Sequence, residues 1–469
     1  MEYIIQQIVL KLAKKILENL EIGKMNLNEL GEILLDDCKG AAREMVEAYA
    51  QELNQQIRLD KEGRKGRLVL KEKERKRTVL TEIGTINIKR DYYYDKVNEC
   101  YVSPLDLVIG MGKYERVTAS VGAKLVETAT EYSYERSAQI VTDGAVSRQT
   151  VRNQILKINV PENEPKVREK ETKELHVFAD EDHVHMQKPK KAKGKKGQIV
   201  PLVTVTEGIN AEGKRHYTEN PMSFVNEEFD TKELWRTVSG YIGKAYDVEK
   251  IEKIYLHADG GGWIKNGLEE YAQTVHVIDG FHIEKELKRI AGCFQGRNIR
   301  QRLHGAIEKE NKQKADQIIQ EMMDLAEDEK TEEKVKAFGK YLMNHWSEAV
   351  VRRNEEVPGS CTEGQVSHLL AKRFSRDPMG WSKAGLGKLS AARIYVKNGG
   401  KLSCKDFAEK EDGEDREEYA RYAEQMINEV SGNISDWSIF TQTETKIFDL
   451  ASGTQRALHQ IGSWRNVLS

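Results

Sequence analysis

Residues 174 to 282 combine three short strand-like runs with an alternation of helices and strands, and few folds accept that order. Three runs rich in β-branched and aromatic residues predict the first strands: LHVFA (175–179), QIVPLVTVTEG (198–208) and KRHYTEN (214–220). The periodicity then predicts a helix over 231–247, a strand over 251–258, a helix near Trp263, a strand over 275–278 and a helix from Phe281. This order predicts a mixed sheet with helices on its faces.

The succession is the one shared by ribonuclease H-like nucleases, so the predicted fold class is α/β, with a ribonuclease H-like mixed sheet as its core. The stretch from residue 283 to about 355 has a helical pattern without a strand signal, which predicts a helical insertion into that core. Nine basic and five acidic residues between Phe281 and Gln320 suit a surface that faces nucleic acid, although a pair of dimerisation helices would look the same.

The charge balance of the whole chain hides an uneven distribution. The 469 residues include 74 Lys and Arg against 76 Asp and Glu, a net charge of -2. No run of about 18 apolar residues predicts a membrane span, and the first residues lack a cleavage-site pattern, so we expect a cytoplasmic protein. Five dispersed cysteines without a CxxC pair predict neither a disulfide framework nor a zinc ribbon.

Residues 61–77 form a strongly basic segment, with nine basic and three acidic residues. The following segment, TVLTEIGTINIKRDYYY, predicts two short strands around a turn at residues 82–84. Basic residues, a hairpin and exposed tyrosines together suit a DNA backbone. A solvated basic hairpin at a domain edge would show the same pattern, so the segment alone leaves both interpretations open.

A helix-turn-helix pattern occupies the segment SYERSAQIVTDGAVSRQTVRNQIL. Asp143 and Gly144 predict the turn, and Ser147 is placed to cap the second helix. Four polar residues then fall early on that helix, where base edges would be met: Arg148, Gln149, Thr150 and Arg152. An ordinary helical hairpin is the alternative interpretation.

These segments predict six regions. They are an N-terminal helical region (1–60), a basic hairpin and helix-turn-helix DNA-binding region (61–160), the first part of the core (174–282), the helical insertion (283–355), the second part of the core (356–400) and a C-terminal helical tail (401–469). The core is thus preceded by a mostly helical DNA-binding region that carries a small β-hairpin.

Two aspartates come directly after predicted strands, Asp180 after the first and Asp259 after the fourth. In the predicted sheet these strands are neighbours, so the two carboxylates meet at one sheet edge. Carboxylates held a few ångströms apart repel unless a cation lies between them, and Mg²⁺ or Mn²⁺ prefers such oxygen ligands. Each residue alone could equally be an aspartate that ends a strand in a turn.

Glu363 is the predicted third carboxylate. Apolar residues follow it after three, seven and eleven positions, which predicts that Glu363 lies on the buried stripe of a helix. It either faces a metal ion or forms an S-x-x-E capping box with Ser360.

His183 and His185 form an H-x-H pair beyond Asp180, which leaves a metal-dependent hydrolase as a less favoured alternative. An α/β barrel requires eight repeated βα units, and the three consecutive predicted strands do not supply them. The lysine run over 188–196, which includes Lys190 and Lys191, would lie beside the proposed metal edge, where a phosphate backbone passes.

Several long motifs now stand in one order: RTVLTEIGTINIKRDYYYD, FADEDHVHMQ, YLHADGGGWIKNGLE, VIDGFHIEKEL and SCTEGQVSHLLAKRFSRDPMGWSKAGLGKL. Over about residues 70–400 the chain resembles the bacterial insertion-sequence transposases of the ISLre family, distant relatives of the Mutator-like transposases. The resemblance implies a DDE transposase that cleaves and joins double-stranded DNA at element ends as a homo-oligomer. A catalytically inactive DNA-binding descendant of such an enzyme is the alternative.

The resemblance also implies roles for residues. By motif match, Asp180, Asp259 and Glu363 would be the catalytic triad that binds two Mg²⁺ or Mn²⁺ ions. Asp279 and His282 would match the family's C/D-x-x-H motif and lie near the site without binding metal. Many relatives read DG at the first motif, whereas this chain reads Asp-Glu-Asp, so Asp182 is the alternative to Asp180.

Overall fold

The computed structural model describes residues 2–19, 26–187, 197–212, 215–258, 261–278, 280–294, 296–354, 357, 361–376 and 379–407. These residues form a mixed α/β protein whose two compact units divide between Thr118 and Ala119. In the described part of the chain, no helix combines the length and the apolar character that a bilayer span requires.

A long β-hairpin and a long helix form the first unit. Its elements are α1 (Glu2–Asn19), α2 (Leu27–Leu59), β1 (Leu68–Thr81), β2 (Gly84–Asp95), β3 (Cys100–Val102) and α3 (Pro104–Val108). β1 and β2 pair from Leu68 opposite Asp95 to Thr81 opposite Gly84, so the strands are longer than predicted and β1 takes in more than half of the basic segment. Leu53 and Ile57 of α2 belong to the same buried cluster as Ile86, Ile88 and Tyr93 of β2.

The second unit contains the five-stranded sheet and most of the helices. Its strands are β4 (Glu174–His185), β5 (Gly197–Thr206), β6 (Gly208–Glu212), β7 (Arg215–Glu219), β8 (Met222–Phe224), β9 (Lys253–Ala258) and β10 (Thr274–Ile278). Its helices are α4 (Ala119–Ala129), α5 (Tyr134–Thr142), α6 (Arg148–Lys157), α7 (Thr231–Ala245), α8 (Gly280–Ala291), α9 (Ile299–Glu308), α10 (Lys312–Asp324), α11 (Glu329–Asn344), α12 (Trp346–Asn354), α13 (Thr362–Val366), α14 (Lys372–Phe374) and α15 (Lys383–Lys397). A π-helical turn, Ser367–Ala371, joins α13 to α14.

The sheet order is β10-β9-β4-β5-β8. β4, β9 and β10 are parallel, while β5 runs antiparallel to β4 and β8 antiparallel to β5. The predicted mixed sheet is confirmed. The strands predicted over 175–179 and 251–258 pair side by side, as predicted. Helices α8–α12 share a core of their own, so the helical pattern predicted over 283–355 is confirmed, while its assignment as an insertion into the core remains a prediction.

Three predicted details of the second unit are wrong: the end of its first strand, the third strand of its sheet and a helix near Trp263. β4 continues to His185 because β5 pairs with it along that length, so Asp180 lies inside the strand and not after its end. The polar segment 214–220 pairs in a separate hairpin, β6–β7, and the short apolar β8 takes its place at the sheet edge. Turns occur where a helix near Trp263 was predicted, in a connection rich in glycine, which disfavours helix.

The predicted helix-turn-helix is confirmed as a local structure, and it lies in the same unit as the sheet. Ser147 caps α6 by accepting a hydrogen bond from the Thr150 amide. Asp143 and Gly144 form the turn with φ of 49° and 79°, the left-handed region that suits a helix C-cap. The hairpin β1–β2 lies in the other unit. The predicted boundaries at residues 60 and 160 remain predictions.

Arg393 of α15 ties α4 to the π-helical turn. The side chain is 1% exposed and its Nη1 and Nη2 donate to the carbonyls of Thr130 and His368, at 2.6 and 2.8 Å. Its Nε donates to the carbonyl of Leu369, and Nη1 lies 2.9 Å from Glu131 Oε1. A π-helical turn disturbs regular backbone pairing, and a planar guanidinium can satisfy several carbonyls at once.

Replacing Arg393 with Met should lower the free energy of unfolding by roughly 3 kcal/mol, because the buried carbonyl of Thr130 and the partly buried carbonyls of His368 and Leu369 lose their donor at about 1–3 kcal/mol each. Urea unfolding followed by tryptophan fluorescence measures the change. Lys397→Met is the matched control, since Lys397 is 2.7 Å from the same Glu131 but is 38% exposed, and it should cost below about 1 kcal/mol. Equal losses in the two variants would contradict the assigned role.

Candidate active site

The alternation of β4 divides its side chains between two environments. Leu175, Val177 and Ala179 are fully buried in the core that includes α7. The intervening residues His176, Phe178, Asp180 and Asp182 therefore lie on the opposite face, because successive side chains of a strand point to opposite sides. The helix α13, which begins with Thr362 and Glu363, packs against β4.

Asp180 and Asp182 share this face but differ in exposure. Asp180 is half-buried, and its Oδ1 accepts a hydrogen bond of 2.7 Å from the Glu181 amide. Asp182 is 7% exposed, and its Oδ2 has no hydrogen-bond partner among the described residues. Burial raises the pKa of Asp182, while a hydrogen bond from Ser375 and the charge of Arg376 act in the opposite direction. The buried, partly unsatisfied carboxylate favours a bound cation or proton.

Glu363 lies in the first turn of α13 and is exposed, so the prediction that it joins the buried stripe is wrong. Val366, Leu370 and Phe374 are buried as predicted. The buried stripe therefore begins at Val366, and Glu363, in the first turn of the helix, lies outside it.

Helix α13 does not begin with the capping box proposed for Ser360 and Glu363. The N-cap position is Cys361, whose side chain makes no capping hydrogen bond, and Ser360 lies outside the described residues. The exposed carboxylate of Glu363 is thus carried by a helix that contacts β4.

Trp381 fixes this helix against the end of β4. Its backbone exchanges hydrogen bonds with β4 and the residues after it: the Trp381 amide donates to the His185 carbonyl at 3.1 Å, and the Gln187 amide donates to the Trp381 carbonyl at 2.9 Å. Its indole donates to the Phe374 carbonyl at 3.0 Å. The Arg373 guanidinium lies 4.9 Å from the Trp381 ring, a cation–π contact.

β9 lies beside β4 in the sheet, and the two strands run in the same direction. Their parallel register pairs Glu174 with Lys253 and ends at Phe178 opposite His257. Four predicted site residues, Asp259, Asp279, Lys190 and Lys191, lie outside the described residues. His282 is part of the α8 backbone, but its side chain is also outside them. Within the described ranges, no group of three or more His, Cys, Asp or Glu residues forms a metal-binding cluster.

The opposite face of β4 carries a contact that the sequence analysis missed. The Trp263 indole donates to Glu181 Oε2 at 2.8 Å, and the Trp235 indole donates to the Trp263 carbonyl at 3.1 Å. The pair anchors the turn segment after β9. His183 and His185 share the odd-numbered face with Glu181, and both are exposed, so the H-x-H pair does not face Asp180 or Asp182.

Two buried histidines form a second arrangement that the sequence analysis missed. His176 Nδ1 lies 3.0 Å from His257 Nε2 across β4 and β9, with 4% and 0% exposure. Burial lowers the pKa of His176 to about 4 and lowers that of His257 well below its usual value. Both imidazoles are therefore neutral at pH 7. Their only sequence signal was histidine inside apolar strands.

A small cavity lies at the carboxyl ends of β9 and β10. Its volume of about 20 Å³ is enough for about one water molecule. Polar lining residues include Lys265, His276, His345 and Glu348. His345 Nδ1 and Glu348 Oε1 lie 3.5 Å apart, which places an ion pair of the insertion at this edge whenever the imidazole is protonated.

The four polar residues predicted to read DNA lie on α6. Arg148 and Gln149 are exposed, while Thr150 and Arg152 are half-buried. Val151 and Ile155, on the other side of α6, are fully buried. Gln149 Nε2 donates to Asn153 Oδ1 at 3.0 Å, so these two side chains form one polar patch.

Comparison with known proteins gives a family. Residues 20–411 match the model of an uncharacterised protein family, UPF0236. A UPF0236 protein of Caldanaerobacter subterraneus subsp. tengcongensis, whose name joins eleven loci, is 33% identical over 399 residues, 84% of this chain and 83% of the relative. Another from the same organism is 34% identical over 390 residues, 82% of each chain. A Streptococcus gallolyticus UPF0236 protein is 25% identical over 345 residues, 69% of this chain and 73% of the relative.

Among solved structures, the chain is similar to the Drosophila P element transposase strand transfer complex. The sequence identity is 12%, and the TM-score is 0.22. The similarity covers 61% of this chain and 83% of that one.

The histidine pair should make the protein acid-sensitive. Both native pKa values lie below the unfolded value near 6.5, so the native state binds fewer protons and stability is lost as the pH falls from about 6.5 towards about 4. As the pH falls across this range, the melting temperature of His176→Gln/His257→Gln should fall less steeply than that of the parent. His183→Gln, at a residue 71% exposed, is the control and should keep the parent slope. A double variant with that same slope would contradict the assignment.

Proposed function

The chain belongs to the uncharacterised protein family UPF0236, and on that premise we propose that it is a DNA transposase of the DDE type with a ribonuclease H-like core. The observation that carries the proposal is the packing of α13, with Glu363 in its first turn, against the strand that bears Asp180 and Asp182 on one face. Three carboxylates thereby belong to two elements in contact, at the sheet edge where metal-dependent sites are expected.

The register of β4 and β9 supports Asp259 as the fourth carboxylate. The last described partners are Phe178 and His257. In the sequence, Asp259 follows directly after Ala258, the last residue of β9, the strand that runs parallel to β4. The β4–β9 order thus favours the pair that the resemblance implied.

The chemical type of these donors suits a divalent metal ion. Asp182 has a buried carboxylate oxygen without a hydrogen-bond partner among the described residues, Asp180 is half-buried and Glu363 is exposed. Hard oxygen donors of this kind suit Mg²⁺ or Mn²⁺. Asp180, Asp259 and Glu363 would hold two ions, with Asp182 as the alternative to Asp180. When bound, the ions would stabilise charge on the phosphoryl oxygens of the cleaved strand.

The protein's own contribution is positioning. Trp381 and Arg373 hold the helix of Glu363 against β4, and Glu181 with Trp263 anchors the segment after β9. Exposed Arg148 and Gln149 would contact duplex DNA of the element ends, and Arg393 links their helical region to the π-helical turn. We further propose that the enzyme acts as a homo-oligomer that holds two DNA ends, and that it does so in the cytoplasm. Asp279 and His282 would lie near the active site.

The copy number of a relative gives independent support. One relative is named for eleven loci of a single bacterial genome. Repeated near-identical genes are expected of mobile elements that copy or move themselves, and they are unusual for a housekeeping enzyme.

The carboxylates can be tested by cleavage. Asp259→Asn and Glu363→Gln should reduce Mg²⁺-dependent cleavage of element-end DNA by at least about 100-fold, since each removes a charged metal ligand. Asp180→Asn and Asp182→Asn, compared in one assay, identify which of the two is the ligand. Cleavage products resolved on denaturing gels give the rates.

Exposed carboxylates of the insertion provide the matched controls. Asp316→Asn and Glu333→Gln make the same chemical changes on α10 and α11 and should leave the rate unchanged. Parent-like cleavage by Asp259→Asn or Glu363→Gln would refute the triad. DNA binding without any cleavage by the parent would favour the inactive DNA-binding descendant.

Helix α6 can be tested by binding. Arg148→Ala and Gln149→Ala should each weaken binding to element-end duplex by about 1–3 kcal/mol relative to a scrambled duplex, if they contact base edges. Arg136→Ala removes an exposed charge from α5 and should weaken both duplexes to the same small extent. Fluorescence anisotropy titrations measure the affinities. An unchanged affinity ratio in both α6 variants would refute base reading by α6.

A further inference from the structure

The outer face of the hairpin β1–β2 carries cations and aromatic rings. We define this outer face by seven residues: Lys71, Arg75, Lys76, Lys89, Tyr92, Tyr94 and Tyr101. The inner face of the same hairpin is buried and includes Ile86, Ile88 and Tyr93. The lysines and Arg75 are exposed, and Tyr101 is 54% exposed.

Cations on the inner side of the hairpin have carboxylate partners. Arg58 Nε lies 2.6 Å from Asp91, and Arg67 Nε lies 3.0 Å from Asp95. Arg77 Nη1 lies 2.7 Å from Asp106. The basic residues of this region therefore fall into two classes, and those inside the unit already have a carboxylate partner in the fold, with Asp106 shared by Arg77 and Arg90.

The outer face holds an uncompensated like-charge pair. Lys76 and Lys89 are direct partners in the antiparallel register. Neither has a carboxylate partner anywhere in the described ranges, whereas Arg75 has Glu72 at 3.6 Å. Like charges directly opposite each other destabilise a strand pair, so this position gains stability when an anion lies over it.

The aromatic rings extend this surface. Tyr92 and Tyr101 are stacked with centroids 5.8 Å apart and planes 6° apart, and Tyr94 meets Tyr101 edge-on at 5.2 Å. Arg75 lies 5.1 Å from the Tyr92 ring, and Lys71 lies 5.8 Å from the Tyr94 ring. Tyr101 is thus the exposed member of an aromatic cluster flanked by cations.

We propose that the outer face binds a single strand of nucleic acid, with phosphates over Lys76 and Lys89 and an unpaired base stacked on Tyr101. Lysine ammonium groups bind phosphate, and an aromatic ring stacks on any unpaired base. Duplex DNA offers the same phosphates but no free base face, so the exposed ring favours a single strand. The site lies in the first unit and does not depend on the carboxylates of the second.

The test uses the full-length protein in EDTA, with a fluorescein-labelled oligo(dT) strand of about 16 nucleotides and a duplex of equal length. Tyr101→Ala should weaken strand binding by about 5- to 150-fold, while Tyr101→Phe, which keeps the stacking ring, should bind like the parent. Lys76→Gln/Lys89→Gln should lower the slope of log affinity against log salt by about 1.4, or about 0.7 per phosphate. An iodouracil-substituted strand should crosslink to Tyr101.

Folding and charge are controlled separately. Lys336→Gln/Lys340→Gln removes two exposed charges from α11 and should leave the salt slope unchanged. The hairpin lysine variant should melt no lower than the parent, because it relieves repulsion. The proposal is overturned if the parent does not bind the strand, if Tyr101→Ala binds like Tyr101→Phe, or if the hairpin lysine variant keeps the parent salt slope. A failed cleavage assay leaves these readouts unaffected, since they are made without metal.

Discussion

The pairing of β4 between β9 and β5 is the constraint on which the rest of the second unit depends. A strand paired on both sides has no freedom to rotate, so each of its residues is assigned to one face of the sheet. Leu175, Val177 and Ala179 fill the core with α7, and the same geometry obliges Asp180 and Asp182 to face the other side. A slip of one residue would bury both aspartates in the apolar core.

Buried arginines hold the helices that cover this face. Arg393 and Arg373 donate to carbonyls at the end of α4, and Arg393 also donates to carbonyls in the π-helical turn. A buried cation is costly unless all its donors are used, so these contacts specify one arrangement of α4, α15 and the helix of Glu363. Helix α15 contacts both α6 of the helix-turn-helix segment and the π-helical turn, so the same arrangement joins that segment to the helix of Glu363.

Sequence patterns predicted those features that depend on neighbours along the chain. Ser147 and the turn at Asp143 and Gly144 were predicted from capping and left-handed backbone preferences, and α7 from its periodicity. The end of β4 was predicted wrongly, because the strand continues only where β5 is there to pair with it. Glu363 was predicted to be buried from its spacing to Val366, Leu370 and Phe374, but burial in the first turn of a helix depends on which elements pack there, and that has no local signature.

The sequence by itself determined the mixed sheet and the neighbouring strands β4 and β9, since periodicity and residue type are local properties. Only the tertiary structure decided which side chains contact each other. It separated Glu181, bonded to Trp263, from Asp180 and Asp182, joined His176 to His257, and left Lys76 opposite Lys89 without a carboxylate among the described residues. Those pairings join residues far apart in the chain, and only register and burial fix which side chains meet.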